Sequence, residues 1–153
     1  MKVFKQLSLA SLLMLPVLSF ADVCPTQQQV NNAIVVSYPQ GPESAAKITL
    51  GNIGQWSSNS TYAYAAAVGE VTDIKTAFYN ADYETVAYQK GTIECSYFPS
   101  YSINGKRYVI ANMVYTTKNW VEDPKKGNWP KAAVNKTCYG QNDVNKCPFE
   151  MVK

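Results

Sequence analysis

A chain of 153 residues with 14 Lys and Arg, 11 Asp and Glu and no histidine has room for one folded domain and carries little net charge. The missing histidine removes Ser-His and Cys-His nucleophile pairs, histidine-dependent nucleases and nearly all catalytic zinc sites. A single arginine, Arg107, and the absence of any strong field argue against nucleic acid as a partner.

Residues 1–21 read as a secretory signal. Lys2 and Lys5 supply the basic start, Leu7 to Leu18 an apolar stretch, and Ser19-Phe20-Ala21 small residues at the two positions a signal peptidase reads. The stretch is too short and wrongly flanked for a membrane span, and Val23 before Cys24 argues against lipidation. Residues 22–153 are then expected to form a single secreted domain of 132 residues starting at Asp22. Two of the 14 cations leave with the signal, so 12 remain against 11 anions.

All four cysteines, Cys24, Cys95, Cys138 and Cys147, follow the cleavage site. An even count in an exported chain points to two disulfides, and a metal site would need shorter paired spacings. Of three possible pairings, Cys138–Cys147 with Cys24–Cys95 is preferred, because it closes a short loop and ties the amino terminus to a central strand. No cofactor or metal is expected.

Pro25-Thr26-Gln27 opens a short helix buried through Val30, Ala33 and Ile34. Pro39-Gln40-Gly41-Pro42 is a turn, Lys47 to Leu50 a strand, and Tyr62 to Val68 a strand by alternation. Val71, Ile74, Phe78 and Ala81, spaced by three, four and three, predict a second helix capped by Thr72 or Asp73. Strands follow at Tyr83 to Gln89 and Thr92 to Phe98, around Lys90-Gly91. Asn104-Gly105, both tolerant of positive φ, predicts a hairpin joining the strand that ends at Ile103 to Arg107 through Tyr115. Pro99 is expected to break or bulge the middle strand and to put it at an edge. From Thr116 the pattern fades into loop composition. The resulting fold class is α+β: a single antiparallel β-meander sheet with one or two short helices and two disulfides.

Cys24-Pro25, Trp56, Phe78, Cys95-Ser96-Tyr97, Trp129, Cys138 and Cys147-Pro148-Phe149 occur in an order that resembles a family of small secreted or periplasmic proteobacterial proteins classed as a domain of unknown function. The resemblance implies an exported bacterial protein with four bridging cysteines. It carries no catalytic residues.

Gly51-Asn52-Ile53-Gly54 lacks the lysine of a phosphate loop. Carboxylate chemistry survives in three candidate pairs: Glu70 with Asp73, Asp82 with Glu84, and Glu122 with Asp123. Each also fits solvated surface charge. Glu94 stands apart inside a strand, turned to solvent if Cys95 points inward. The 11 tyrosines and three tryptophans suit either half-buried strands or a contact surface. The candidate contact residues are Trp120, Trp129, Tyr97, Tyr101 and Tyr108, with at least one of the two tryptophans expected to be exposed. The sequons at Asn59 and Asn135 matter only in a eukaryotic secretory pathway. The expectation is an exported binding protein, inhibitor- or effector-like, acting on a protein or envelope component. A small carboxylate-dependent hydrolase and a structural envelope component are the alternatives.

Overall fold

The computed structural model describes residues 22–152 except 42, 60, 61, 88, 89, 111 and 132; the expected signal lies outside the described residues. Among the described residues, ten strands and one α-helix follow in chain order: α1 Gln27–Ala33, β1 Ile34–Ser37, β2 Ala45–Leu50, β3 Trp56–Ser58, β4 Ala63–Val68, β5 Thr72–Ala87, β6 Lys90–Ile103, β7 Lys106–Val109, β8 Met113–Thr117, β9 Val121–Glu122 and β10 Lys136–Tyr139. A 3-10 turn, Val144–Lys146, comes after β10.

This is a mostly β protein with two sheets, which corrects the expected α+β fold with one meander. β1, β2 and β4 form a small antiparallel sheet, and β10-β5-β6-β8-β3 a larger one, to which β7 and β9 add along β6. Helix α1 forms as expected; Thr26 caps it, exchanging hydrogen bonds with Gln29 in a capping box, and Pro25 lies just before the cap. The second predicted helix does not form. Its residues lie in β5, and two one-residue irregularities, between Thr72 and Lys75 and between Phe78 and Asn80, explain the misleading three-residue steps. Phe78 pairs with Tyr97 and Asn80 with Ser96, so Tyr79 is the extra residue. Before the bulge the inward side chains are Ile74, Thr76 and Phe78; after it they are Ala81 and Tyr83. The step from 78 to 81 copies a helical interval within an extended strand.

The β6–β7 hairpin turns through Asn104 and Gly105 with φ of 50° and 75°, both in the left-handed region that makes this dipeptide a tight turn. The single strand expected from Arg107 to Tyr115 is two strands, β7 and β8, pairing successive stretches of β6. Pro99 lies in the centre of the sheet, not at an edge. Its carbonyl accepts from the Ile110 amide (2.8 Å), so its missing N–H falls on the interruption between β7 and β8, where no ladder bond is lost.

The inner face of the large sheet and the small sheet share one hydrophobic cluster, to which Ala46, Ile48, Leu50 and Ala65 contribute from one side and Ile93, Tyr97, Tyr101, Ile103 and Tyr115 from the other. Buried tyrosine hydroxyls stitch the layers. The Ala66 amide donates to Tyr101 (2.7 Å), Tyr115 donates to the Gly51 carbonyl (2.8 Å), and Tyr97 donates to the Pro25 carbonyl. Burial pushes the phenol pKa of both Tyr97 and Tyr115 upward, with the neighbouring Tyr115 adding to the effect on Tyr97.

Both disulfides take the preferred pairing. Cys24–Cys95 pins the chain before α1 to the inner face of β6, and Cys138–Cys147 ties β10 to the 3-10 turn. Two bridges are compatible with an oxidising extracellular or periplasmic location. No helix among the described residues is long and apolar enough to cross a membrane.

Candidate functional site

Alternation along β6 turns Cys95, Tyr97 and Tyr101 inward and Glu94, Ser96 and Phe98 outward. The outer face of the large sheet therefore presents a different set of side chains, and two features on it stand out.

The first is an aromatic corner. Tyr79, the bulge residue, follows inward Phe78 and lies on the outer face, where it meets Phe98 (ring centroids 5.4 Å) and Tyr139 of β10 (5.8 Å), both edge to face. Tyr79 and Tyr139 stay about half exposed, at 52% and 55%. Beside them the chain makes a tight turn from Gly140 to Asp143, closed by the Asp143 amide on the Gly140 carbonyl (3.0 Å). Gln141 and Asn142 in that turn have φ of 50° and 67°, an uncommon conformation for residues with a Cβ. Gly140 is required by proximity: a Cβ there would lie 2.2 Å from the Phe78 ring. The turn is held by Cys138–Cys147, by the Asn142 amide on the Phe78 carbonyl (3.3 Å), and by Gln27, whose side-chain amide donates to the Asn142 carbonyl (3.0 Å). Together these residues line a depression of about 270 Å³.

The second feature is a polar row. Thr137, Asp82, Glu94 and Thr116 are successive cross-strand partners over β10, β5, β6 and β8. Asp82 accepts from Asn80 (2.6 Å) and Thr137 (2.5 Å); Glu94 accepts from Asn59 and Thr116 (3.3 Å each). Two carboxylates directly opposite each other are an unfavourable cross-strand pair. Among the described residues neither has a cationic partner.

The expected contact residues are scattered. Tyr97, Tyr101 and Trp129 are buried in the core, and the Trp129 indole donates to the Pro148 carbonyl (2.8 Å), so packing accounts for them. Tyr108 stacks on Tyr101 (5.6 Å, 21° between planes) under Lys106, while Trp120 is exposed. The tail thus holds one buried and one exposed tryptophan.

The carboxylate pairs fare differently. Asp73 is held by Lys75 (3.1 Å) and Arg107 (2.6 Å), and their hydrogen bonds, Lys75 foremost, keep its carboxyl below the usual carboxylate range. Asp82 does share a face with Glu84, yet its direct partner is Glu94. Asp123 forms an ion pair at 2.6 Å with Lys136, whose side chain is 2% exposed and also donates to the Pro124 carbonyl (3.0 Å). A second depression of about 290 Å³ is lined by Glu122, Asp123, Lys126 and Glu150 among others. Its charges are largely neutralised internally, because Lys126 pairs with Glu150 (2.9 Å) and Asp123 with Lys136.

Tyr79, Phe98, Tyr139, Gln141 and Asn142 do not announce themselves as a group in the sequence. The helical spacing of its neighbours hides Tyr79. Strand parity does place Phe98 outward, once Cys95 is set inward.

The chain matches no protein-family model, no curated protein and no solved structure. What the fold and site define is a class only: a disulfide-braced, mostly β domain with an open, aromatic and amide-bearing sheet face.

Proposed function

We propose that the protein is an exported binding protein whose recognition surface is the outer face of the large sheet, centred on the Tyr79–Phe98–Tyr139 corner. One observation carries this reading: three departures from regular structure meet at the same spot. The bulge at Tyr79, the paired left-handed residues Gln141 and Asn142, and the short disulfide loop all bear on one depression. Irregularities of this kind cost stability and cluster where a surface is shaped for a ligand. Half-exposed tyrosines on a rigid sheet offer contact area at low entropic cost. The target on this reading is another protein or a component of the cell envelope, and the envelope is the one put to the test.

Co-sedimentation of the purified protein with isolated envelope tests the reading. The double variant Tyr79→Ala/Tyr139→Ala should lose association about tenfold, while variants in the small sheet should not. Unchanged sedimentation of the double variant would refute it.

A carboxylate hydrolase is the second reading, favoured only by Asp82 facing Glu94. Both lie on an open face, each already engaged by neutral donors. Asp82→Asn and Glu94→Gln would abolish turnover while sparing binding if this reading held.

A further inference from the structure

We infer that the depression beside Tyr79 takes an uncharged saccharide, a single ring or the end of a chain laid on the surface; this rests on the binding reading above. The chemistry of the lining selects this class. Its residues are Ala77, Phe78, Tyr79, Phe98, Tyr139, Gln141 and Asn142, and none is charged.

An anionic ligand finds no cation in that lining, and the Lys146 ammonium beside it is turned to Gln141 Oε1 (3.4 Å). Asp82 and Glu94, which have no cationic partner among the described residues, stand a few positions further along the same face and repel it. A lipid or an apolar peptide would need a broader apolar patch than three rings supply. Sugars present two kinds of surface at once: C–H faces, which lie against aromatic rings, and hydroxyls, which both donate and accept. Asn and Gln amides also do both, so they match hydroxyls where a carboxylate, acceptor only, matches half of them. The site has both elements on one edge. Rings of Tyr79, Phe98 and Tyr139 stand next to the amides of Gln141 and Asn142.

Preorganisation supports the same conclusion. Binding through few contacts is strong enough only if little entropy is lost on ordering. The turn that presents Gln141 and Asn142 is fixed at both ends by the Cys138–Cys147 bridge and anchored to β5 through the Phe78 carbonyl. At about 270 Å³ the depression lies below the roughly 300–1,000 Å³ usual for sites that engulf a ligand, which suits an exposed ring or chain end.

The intact, oxidised protein is applied to an array of neutral and acidic oligosaccharides, and the best neutral binder is titrated by amide NMR. Resonances of Tyr79, Tyr139, Gln141 and Asn142 should move. Tyr79→Ala should weaken binding about tenfold, and Tyr64→Ala on the small sheet should leave it intact. Gln141→Gly separates binding from folding: it relieves the left-handed strain, so stability should hold or rise while affinity falls. Silence toward every neutral saccharide, preference for acidic ones, or full affinity in Tyr79→Ala would overturn the inference. If envelope association depends on Tyr79 but no saccharide binds, the ligand class fails and the binding surface stands. If envelope association ignores Tyr79, both fail.

Discussion

The large sheet uses tyrosine in opposite ways on its two faces. On the inner face Tyr97, Tyr101 and Tyr115 are 0–2% exposed, and each hydroxyl is tied to a backbone group of another layer. On the outer face Tyr79 and Tyr139 are half exposed and touch other rings. The residue type is the same, so composition does not tell a structural tyrosine from a recognition one. What separates them is strand parity, whose phase changes at the inserted residue Tyr79.

The sharpest way to test this division is to damage the inner side. Lys136 points inward from β10 and is buried against Asp123. Asp123→Ala leaves that ammonium uncompensated and should cost about 3–5 kcal/mol in urea unfolding. A loss below about 1 kcal/mol would mean that solvent already reaches the pair. Tyr97→Phe is gentler. It removes one buried hydroxyl bond and should cost about 1 kcal/mol at neutral pH.

The same substitution also reads out pH. The folded phenol pKa of Tyr97 is raised by burial, so its contribution is fully present below the unfolded value of about 10 and is lost as pH rises beyond it toward the folded value. Stability of the wild type should therefore fall above about pH 10, and Tyr97→Phe should fall less steeply. Parallel curves would show that Tyr97 does not carry the alkaline transition.

On the outer side the expected effect is smallest and of opposite sign. Asp82→Asn removes one of two facing charges and should stabilise the fold by roughly 0.2–1 kcal/mol. A loss instead would mean that the bonds from Asn80 and Thr137 need the carboxylate. An inner face that loses stability on substitution and an outer face that gains it would be the signature of a surface kept for contact and not for folding.

Several elements are legible in the residues themselves. Helix α1, the Asn104-Gly105 turn, the strands around Cys95 and the outward direction of Glu94 follow from rules acting over a few residues. Residues 71–81 are not legible in this way, because a bulge changes the phase of alternation and so imitates helical spacing. Pro99 reads as an edge residue because a lost donor matters only if a neighbour needs it, and the gap between β7 and β8 falls there. Trp129 and Tyr101 read as contact residues because large amphipathic rings look alike in sequence whether a distant segment covers them or water does.

By itself, then, the sequence determined the oxidised chemistry of the four cysteines, the absence of histidine catalysis, the local turns and most strand segments. Tertiary structure alone decided that the strands divide into two sheets, which tyrosines are buried, and that Asp82 faces Glu94. The reason is physical: turn and alternation preferences are local, whereas register, face and cover depend on pairings between residues far apart in the chain, whose energies no short window contains.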